Sequence, residues 1–293
     1  MIKIKLLLLT VLTSSILNAQ CWSKVACGYY HSAAIKSDGT LWTWGNNTDG
    51  QLGIGIDWST DGNFCHRYVP VQVGDENNWK SISLGWYHSA GIKNDGTLWC
   101  WGGNEYGQIG DGTLIGKNIP IQITNSNDWN SVTCGQTYTL AIKNDGTLWA
   151  WGDNNVGQLG NGNNDPQTVP QQIGSDTNWQ SVVTGRAFSV ALKSDGTLWA
   201  WGINSLGQLG DGTTTDRNIP TQVGSSSNWQ SVSAGDSHTL AVTNEGKLWA
   251  WGSNMFSEFG NGNSQSSALP VLANAATNWA QVEAGRYYSF AIK

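Results

Sequence analysis

The stretch from Asp145 to Gly162 reads DGTLWAWGDNNVGQLGNG, and near copies of it return along the chain at a fixed distance. Aligned on the first tryptophan of the LWxWG core, the copies fall at Trp42, Trp99, Trp149, Trp199 and Trp249, spaced by 57, 50, 50 and 50 residues. The first interval is longer because seven extra residues lie between Gly53 and Pro70. Another tryptophan keeps the same phase at Trp22, Trp79, Trp129, Trp179, Trp229 and Trp279. Sixteen of the 18 tryptophans are therefore repeat positions, and only Trp58 and Trp86 stand outside the pattern. A period of this size means one supersecondary unit stacked on copies of itself, and no linker or second domain interrupts it.

Each unit predicts four short strands. Around the copy at Trp229, WQSVSAG and HTLAVT are β-branched runs about a turn, KLWAWG follows the NEG turn, and PTQVG closes a unit ahead of SSSNW. Asp38-Gly39, Asp95-Gly96, Asp145-Gly146 and Asp195-Gly196 supply the positive φ angles of tight hairpins. Four antiparallel strands repeated around a centre are the blades of a β-propeller. The tryptophans then pack blade against blade, each burying roughly 150–250 Å². Charged residues make up only 12% of the chain while Gly reaches 37, which suits rings and turns rather than amphipathic helices.

The unit GxxHTxAxxxxGxLWxWGxNxxGQLG resembles the repeat of the regulator of chromosome condensation family, whose best-known members are seven-bladed propellers, and the likeness runs from Trp22 to Lys293. Kelch repeats have a similar period but carry paired glycines, and Gly102-Gly103 is the only such pair here. The sixth copy begins at Trp279 and reaches Lys293 before any LWxWG. The expectation is thus an all-β propeller of five complete repeats plus half of a sixth, 22 strands in an incomplete six- or seven-bladed ring, read as the N-terminal part of a longer reading frame.

Residues 1–19 read as a secretory signal peptide. Lys3 and Lys5 precede an apolar run from Leu6 to Leu17, and Ala19 offers a small residue for cleavage. Cleavage there leaves a propeller over residues 20–293, secreted, periplasmic or on the cell surface, with no membrane insertion. It also removes two lysines and no acid, leaving 13 basic against 21 acidic residues and a net charge of −8. With no cluster of Lys and Arg to meet a phosphate backbone, nucleic acid is excluded as a partner.

Strand parity locates the variable residues. In a four-stranded meander the first and third connections share one face of the disc, here called the upper face. On it the repeated glycine is followed by Tyr29-Tyr30, Trp86-Tyr87, Gln136-Thr137, Arg186-Ala187, Asp236-Ser237 and Arg286-Tyr287. Aromatic and arginine side chains of this kind are enriched at protein interfaces, so Tyr29, Tyr30, Trp86, Tyr87, Arg186, Asp236, Arg286 and Tyr287 form the expected partner-binding arc. In the other upper loop Asn47, Asn104, Asn154, Asn204 and Asn254 recur in every copy, which argues for a structural turn, whereas Met255 and Phe256 break the pattern.

Catalytic and metal signals are poor. His31, His88 and His238 share one repeat position with Tyr138, Phe188 and Tyr288, so that position calls for a ring rather than a proton carrier. There is no nucleophile elbow, P-loop or zinc signature. DWSTDG places Asp57, Ser59 and Asp61 as in the first half of a calcium loop, but position twelve is Tyr68 instead of Glu. Of the five cysteines, Cys27, Cys100 and Cys134 occupy repeat positions and read as buried small residues, leaving Cys21 and Cys65 as the plausible disulfide pair. Neither cofactor nor metal is expected. The reading is a non-catalytic module that binds another protein; carbohydrate binding on the aromatics and a hydrolase site in the central channel are the alternatives. The resemblance implies as much, since a secreted β-lactamase inhibitor of the same family binds its target with one propeller face. Nucleotide exchange on a GTPase, known in nuclear members, is not carried over to an exported acidic chain.

Overall fold

The computed structural model describes residues 21–62 and 65–293; the expected signal peptide lies outside them. The strands, in chain order, are β1 (Trp22–Cys27), β2 (His31–Lys36), β3 (Leu41–Gly45) and β4 (Arg67–Gln72), then β5 (Trp79–Leu84), β6 (His88–Lys93), β7 (Leu98–Gly102) and β8 (Lys117–Gln122). The third blade holds β9 (Trp129–Cys134) to β12 (Gln167–Gln172), the fourth β13 (Trp179–Thr184) to β16 (Arg217–Gln222), and the fifth β17 (Trp229–Ala234) to β20 (Ser267–Asn274). A sixth sheet has two strands, β21 (Gln281–Ala284) and β22 (Ser289–Ile292). Each full sheet is an antiparallel meander in sequence order, and the 22 strands among the described residues agree with the repeat count. Among the described residues, no helix is long and apolar enough to cross a membrane.

The register repeats as faithfully as the sequence. Leu140 faces Ala150 and Ala141 faces Trp149 in the third blade, just as Val190 faces Ala200 and Ala191 faces Trp199 in the fourth. The second LWxWG tryptophan of one blade is buried on the blade before it. Trp151 and Trp201 are wholly enclosed and donate Nε1–H to the carbonyls of Gln108 and Gln158, at 3.0 and 2.9 Å. At Gly160, φ is +78° and an added Cβ would lie 2.7 Å from the Trp201 Nε1, so the indole fits only over glycine. The phase-keeping tryptophan completes the joint: Trp179 packs edge-on against Trp199 and Trp201 at 6.2 and 6.1 Å, within an apolar cluster made largely of third-blade residues. Lys193 lies over both Trp179 and Trp199, at 4.6 and 4.1 Å, and ends on Asp176.

The repeated histidines are structural, as their Tyr and Phe counterparts imply. His31 meets Ser89, His88 meets Thr139 and His238 meets Ser289, each in the next blade, at 2.8, 2.9 and 3.0 Å. Burial drives His31 and His88 down to about 3 and His238 to about 4. The recurring asparagines are also structural. Asn154 is fully buried, accepts from Leu159 N–H at 3.0 Å and donates to the Asn163 carbonyl at 2.9 Å.

Two sequence expectations need correction. Cys21 and Cys65 are both free thiols. Cys21 lies at the lower end of β1, where its carbonyl accepts from Ser37 in the β2–β3 turn, whereas Cys65 lies in the upper loop before β4. The thickness of the disc separates them. Cys27 is exposed rather than buried, because β1 belongs to the first blade and no earlier blade covers it among the described residues. DWSTDG is a helix start: Asp57 caps α1 (Trp58–Asp61), accepting from Thr60 N–H at 3.0 Å and from Ser59 Oγ at 2.6 Å. At the other end, β22 pairs only with β21 among the described residues, and Tyr288, Phe290 and Ile292 are exposed where their counterparts Tyr138, Leu140 and Ile142 are buried.

Trp151→Ala should lower the unfolding free energy by about 3–5 kcal/mol, read by urea denaturation. The three buried histidines stay neutral in the fold but take up protons on unfolding below about pH 6.5. Stability should therefore be intact above that pH and fall between 6.5 and about 3, at about 4 kcal/mol per pH unit near pH 5 for the three together. Thermal melts across that window should flatten in a His31→Phe, His88→Phe, His238→Phe variant.

Candidate functional site at the propeller axis

The turns joining the first and second strands of the first four blades are hydrogen-bonded to one another. Tyr29 N–H donates to Gly85 O at 3.2 Å, Trp86 N–H to Gln136 O at 3.4 Å and Gln136 N–H to Arg186 O at 3.2 Å. Such close approach needs glycine ahead of each pair, since a Cβ on Gly28 would lie 2.5 Å from Gly85 O. These six turns ring the axis. The β3–β4 type loops share their face, as strand parity predicts: Gly103 N–H donates to Tyr87 O at 2.7 Å and Asp153 N–H to Thr137 O at 2.9 Å.

Within each pair the two side chains part. The first residues, Tyr29, Trp86, Gln136, Arg186, Asp236 and Arg286, form one circuit. The Tyr29 and Trp86 rings lie 4.1 Å apart. Arg186 reaches over Trp86 at 5.4 Å and donates from Nε to Gln136 at 3.1 Å. Arg286 lies over Tyr29 at 4.6 Å and bonds Asp236 at 3.2 Å, so the sixth sheet touches the first blade. Burial holds the Asp236 carboxyl above its usual range against the opposing pull of Arg286 and Arg186.

The second residues lie further out. Tyr30 and Tyr87 lie 5.5 Å apart with their planes 32° from parallel, and Tyr287 meets Phe256 at 4.9 Å. Arg286 also covers Tyr287, at 4.7 Å. All eight residues expected from the sequence thus belong to one connected cluster, and Met255 and Phe256 are exposed beside it. Gln136 is the member missing from that expectation. Its place after the repeated glycine was the available signal, but its amide reads as neutral turn filler until Arg186 is seen to bind it. Among the described residues, no group of three or more His, Cys, Asp or Glu side chains is placed to hold a metal.

The regulator of chromosome condensation (RCC1) repeat matches residues 38–92, 95–142, 145–192, 195–242 and 245–292. The chain belongs to that family. Among curated proteins it is 44% identical over 88 residues to the X-linked retinitis pigmentosa GTPase regulator homolog of Caenorhabditis elegans, covering 29% of this chain and 6% of that one. It is 34% identical over 95 residues to the ultraviolet-B receptor UVR8 of Arabidopsis thaliana, covering 32% and 20%. The matched stretches are thus a small part of these relatives' length. Among solved structures, Prp20p of Saccharomyces cerevisiae superposes with a TM-score of 0.80 at 21% identity over 92% of this chain and 68% of its own. Human WBSCR16 gives 0.67 at 21% over 94% and 87%. These two likenesses establish the propeller fold.

Removing the Arg286 guanidinium takes away the larger of the two charges that counter burial at Asp236. Arg286→Ala should raise the Asp236 pKa further, followed by carboxyl carbon NMR titration against the unchanged chain.

Proposed function

We propose that this chain is an exported, non-catalytic propeller that binds another protein through its upper face. The observation that carries the reading is the connected cluster at the axis, in which five aromatic rings and two arginines are drawn together from four separate turns. Aromatic and arginine side chains at the centre of a face are the usual anchors of protein interfaces. Asp236 is the one carboxylate of the axial six, and it is committed to Arg286. Yeast Prp20 has been solved bound to Kap60 and studied for binding to Gsp1p and histones, so a propeller of this fold does serve protein partners. Export rests on the first nineteen residues, with Lys3 and Lys5 ahead of an apolar run.

The test is capture from the source organism's envelope and medium with residues 20–293, beside a variant carrying Tyr29, Trp86, Tyr87 and Tyr287 as Ala. Both must first melt cooperatively at similar temperatures. A single protein retained by the first and lost by the second is the expected result. Equal capture by both would remove the aromatic cluster from the function, and competition by free sugars would move the reading to carbohydrate.

A further inference from the structure

Charge is distributed unevenly between the two faces. The upper connections, with the strand ends that border them, hold eleven carboxylates against five basic residues, namely Arg67, Lys117, Arg186, Arg217 and Arg286. The lower face, with the remaining strand positions, holds ten carboxylates against eight basic residues among those described. Most of the negative charge therefore sits on the face that carries the aromatic cluster. Three of the five upper basic residues are already tied to upper carboxylates: Lys117 to Asp111, Arg217 to Asp211 and Arg286 to Asp236.

The excess is concentrated beside the tyrosine pair. Asp49 and Tyr87 close together over Gly103, where an added Cβ would meet the Asp49 Cβ at 3.4 Å and the Tyr87 Cβ at 3.3 Å. Burial first, then Glu105 and Asp57, hold the Asp49 carboxyl above its usual range, the sign of a carboxylate group with no cation among it. None of these three acids takes part in an ion pair among the described residues. Tyr30 is 44% exposed and stacks on Tyr87. The inner rings already show what this environment accepts, because Trp86 carries the Arg186 guanidinium and Tyr29 that of Arg286. The outer pair has the same π-faces, adjacent negative charge and no cation of its own among the described contacts.

We infer that Tyr30 and Tyr87, flanked by Asp49 and Glu105, are the seat for a lysine or arginine side chain of the partner, and that the partner presents a basic surface to this face. The inference rests on the protein-binding reading above and specifies the chemistry of that partner. A cation seated there would gain the outward ring face of the exposed Tyr30 and the uncompensated carboxylates. The negative field of the whole face would steer a basic surface toward it.

The experiment measures fluorescence anisotropy of a labelled arginine-glycine-serine repeat peptide, and of its glutamate-for-arginine counterpart, against residues 20–293. The arginine peptide should bind at low salt and weaken at about 150 mM, where the screening length is about 8 Å; the glutamate peptide should not bind. Asp49→Asn with Glu105→Gln should weaken the arginine peptide about tenfold, and Tyr30→Leu with Tyr87→Leu should do the same without changing net charge. Asp75→Asn with Glu283→Gln makes the same charge change away from the site and should alter affinity less than about twofold. Absence of binding, or equal loss in the two charge variants, would overturn the seat. So would a partner that is captured through the aromatic cluster yet binds the Asp49→Asn, Glu105→Gln chain undiminished, and that result would leave the protein-binding function standing.

Discussion

The docking of one blade's indole onto the glycine turn of the blade before it is the contact on which the rest depends. A four-stranded sheet of five- and six-residue strands has too little apolar surface to be stable alone. Trp151 and Trp201 supply what is missing by placing a large ring, and its one hydrogen bond, across a blade boundary. The glycine beneath is obligatory because the indole occupies the space a side chain would need. Fixing this joint once per 50 residues fixes the angle between blades, and hence where every turn falls relative to the axis.

The axial cluster follows from that geometry. Once the blades are set, the turns after Gly28, Gly85, Gly135 and Gly185 come close enough to hydrogen-bond in series, those after Gly235 and Gly285 are joined by Arg286 and Asp236, and residues 50 or more positions apart become neighbours. The scaffold tolerates variation there because none of those side chains supports the indole joint. Buried positions keep their character in copy after copy, an amide at Asn154 and an aromatic ring at His88, while the paired positions after the glycine range from Tyr to Arg to Asp. Variation confined to one ring of turns on a rigid disc is how such a fold acquires a specific surface.

Much of this was legible before any coordinates. The tryptophan period gave four-stranded blades and 22 strands, and strand parity put Tyr30 and Tyr87 on the same face as Asn47 and Asn104. The shared position of His31, Tyr138 and Phe188 marked a packing site for a ring. Less legible were features that compare different blades or the two ends of a strand. Cys21 and Cys65 look like a pair by elimination, yet they lie at opposite ends of the first sheet. DWSTDG looks like a cation loop by spacing, yet Asp57 turns inward to cap a helix. Gln136 looks inert until Arg186 reaches it.

The sequence by itself determined the strand pattern, the turn chemistry, the blade unit and the face on which variation accumulates, because each follows from spacings within one repeat. Only the tertiary structure decided which varied residues meet, that Arg286 returns to Tyr29, and that the negative charge gathers beside Tyr30 and Tyr87. Those outcomes depend on the rotation from one blade to the next. That rotation is set by packing between side chains far apart in the chain, which no local pattern records.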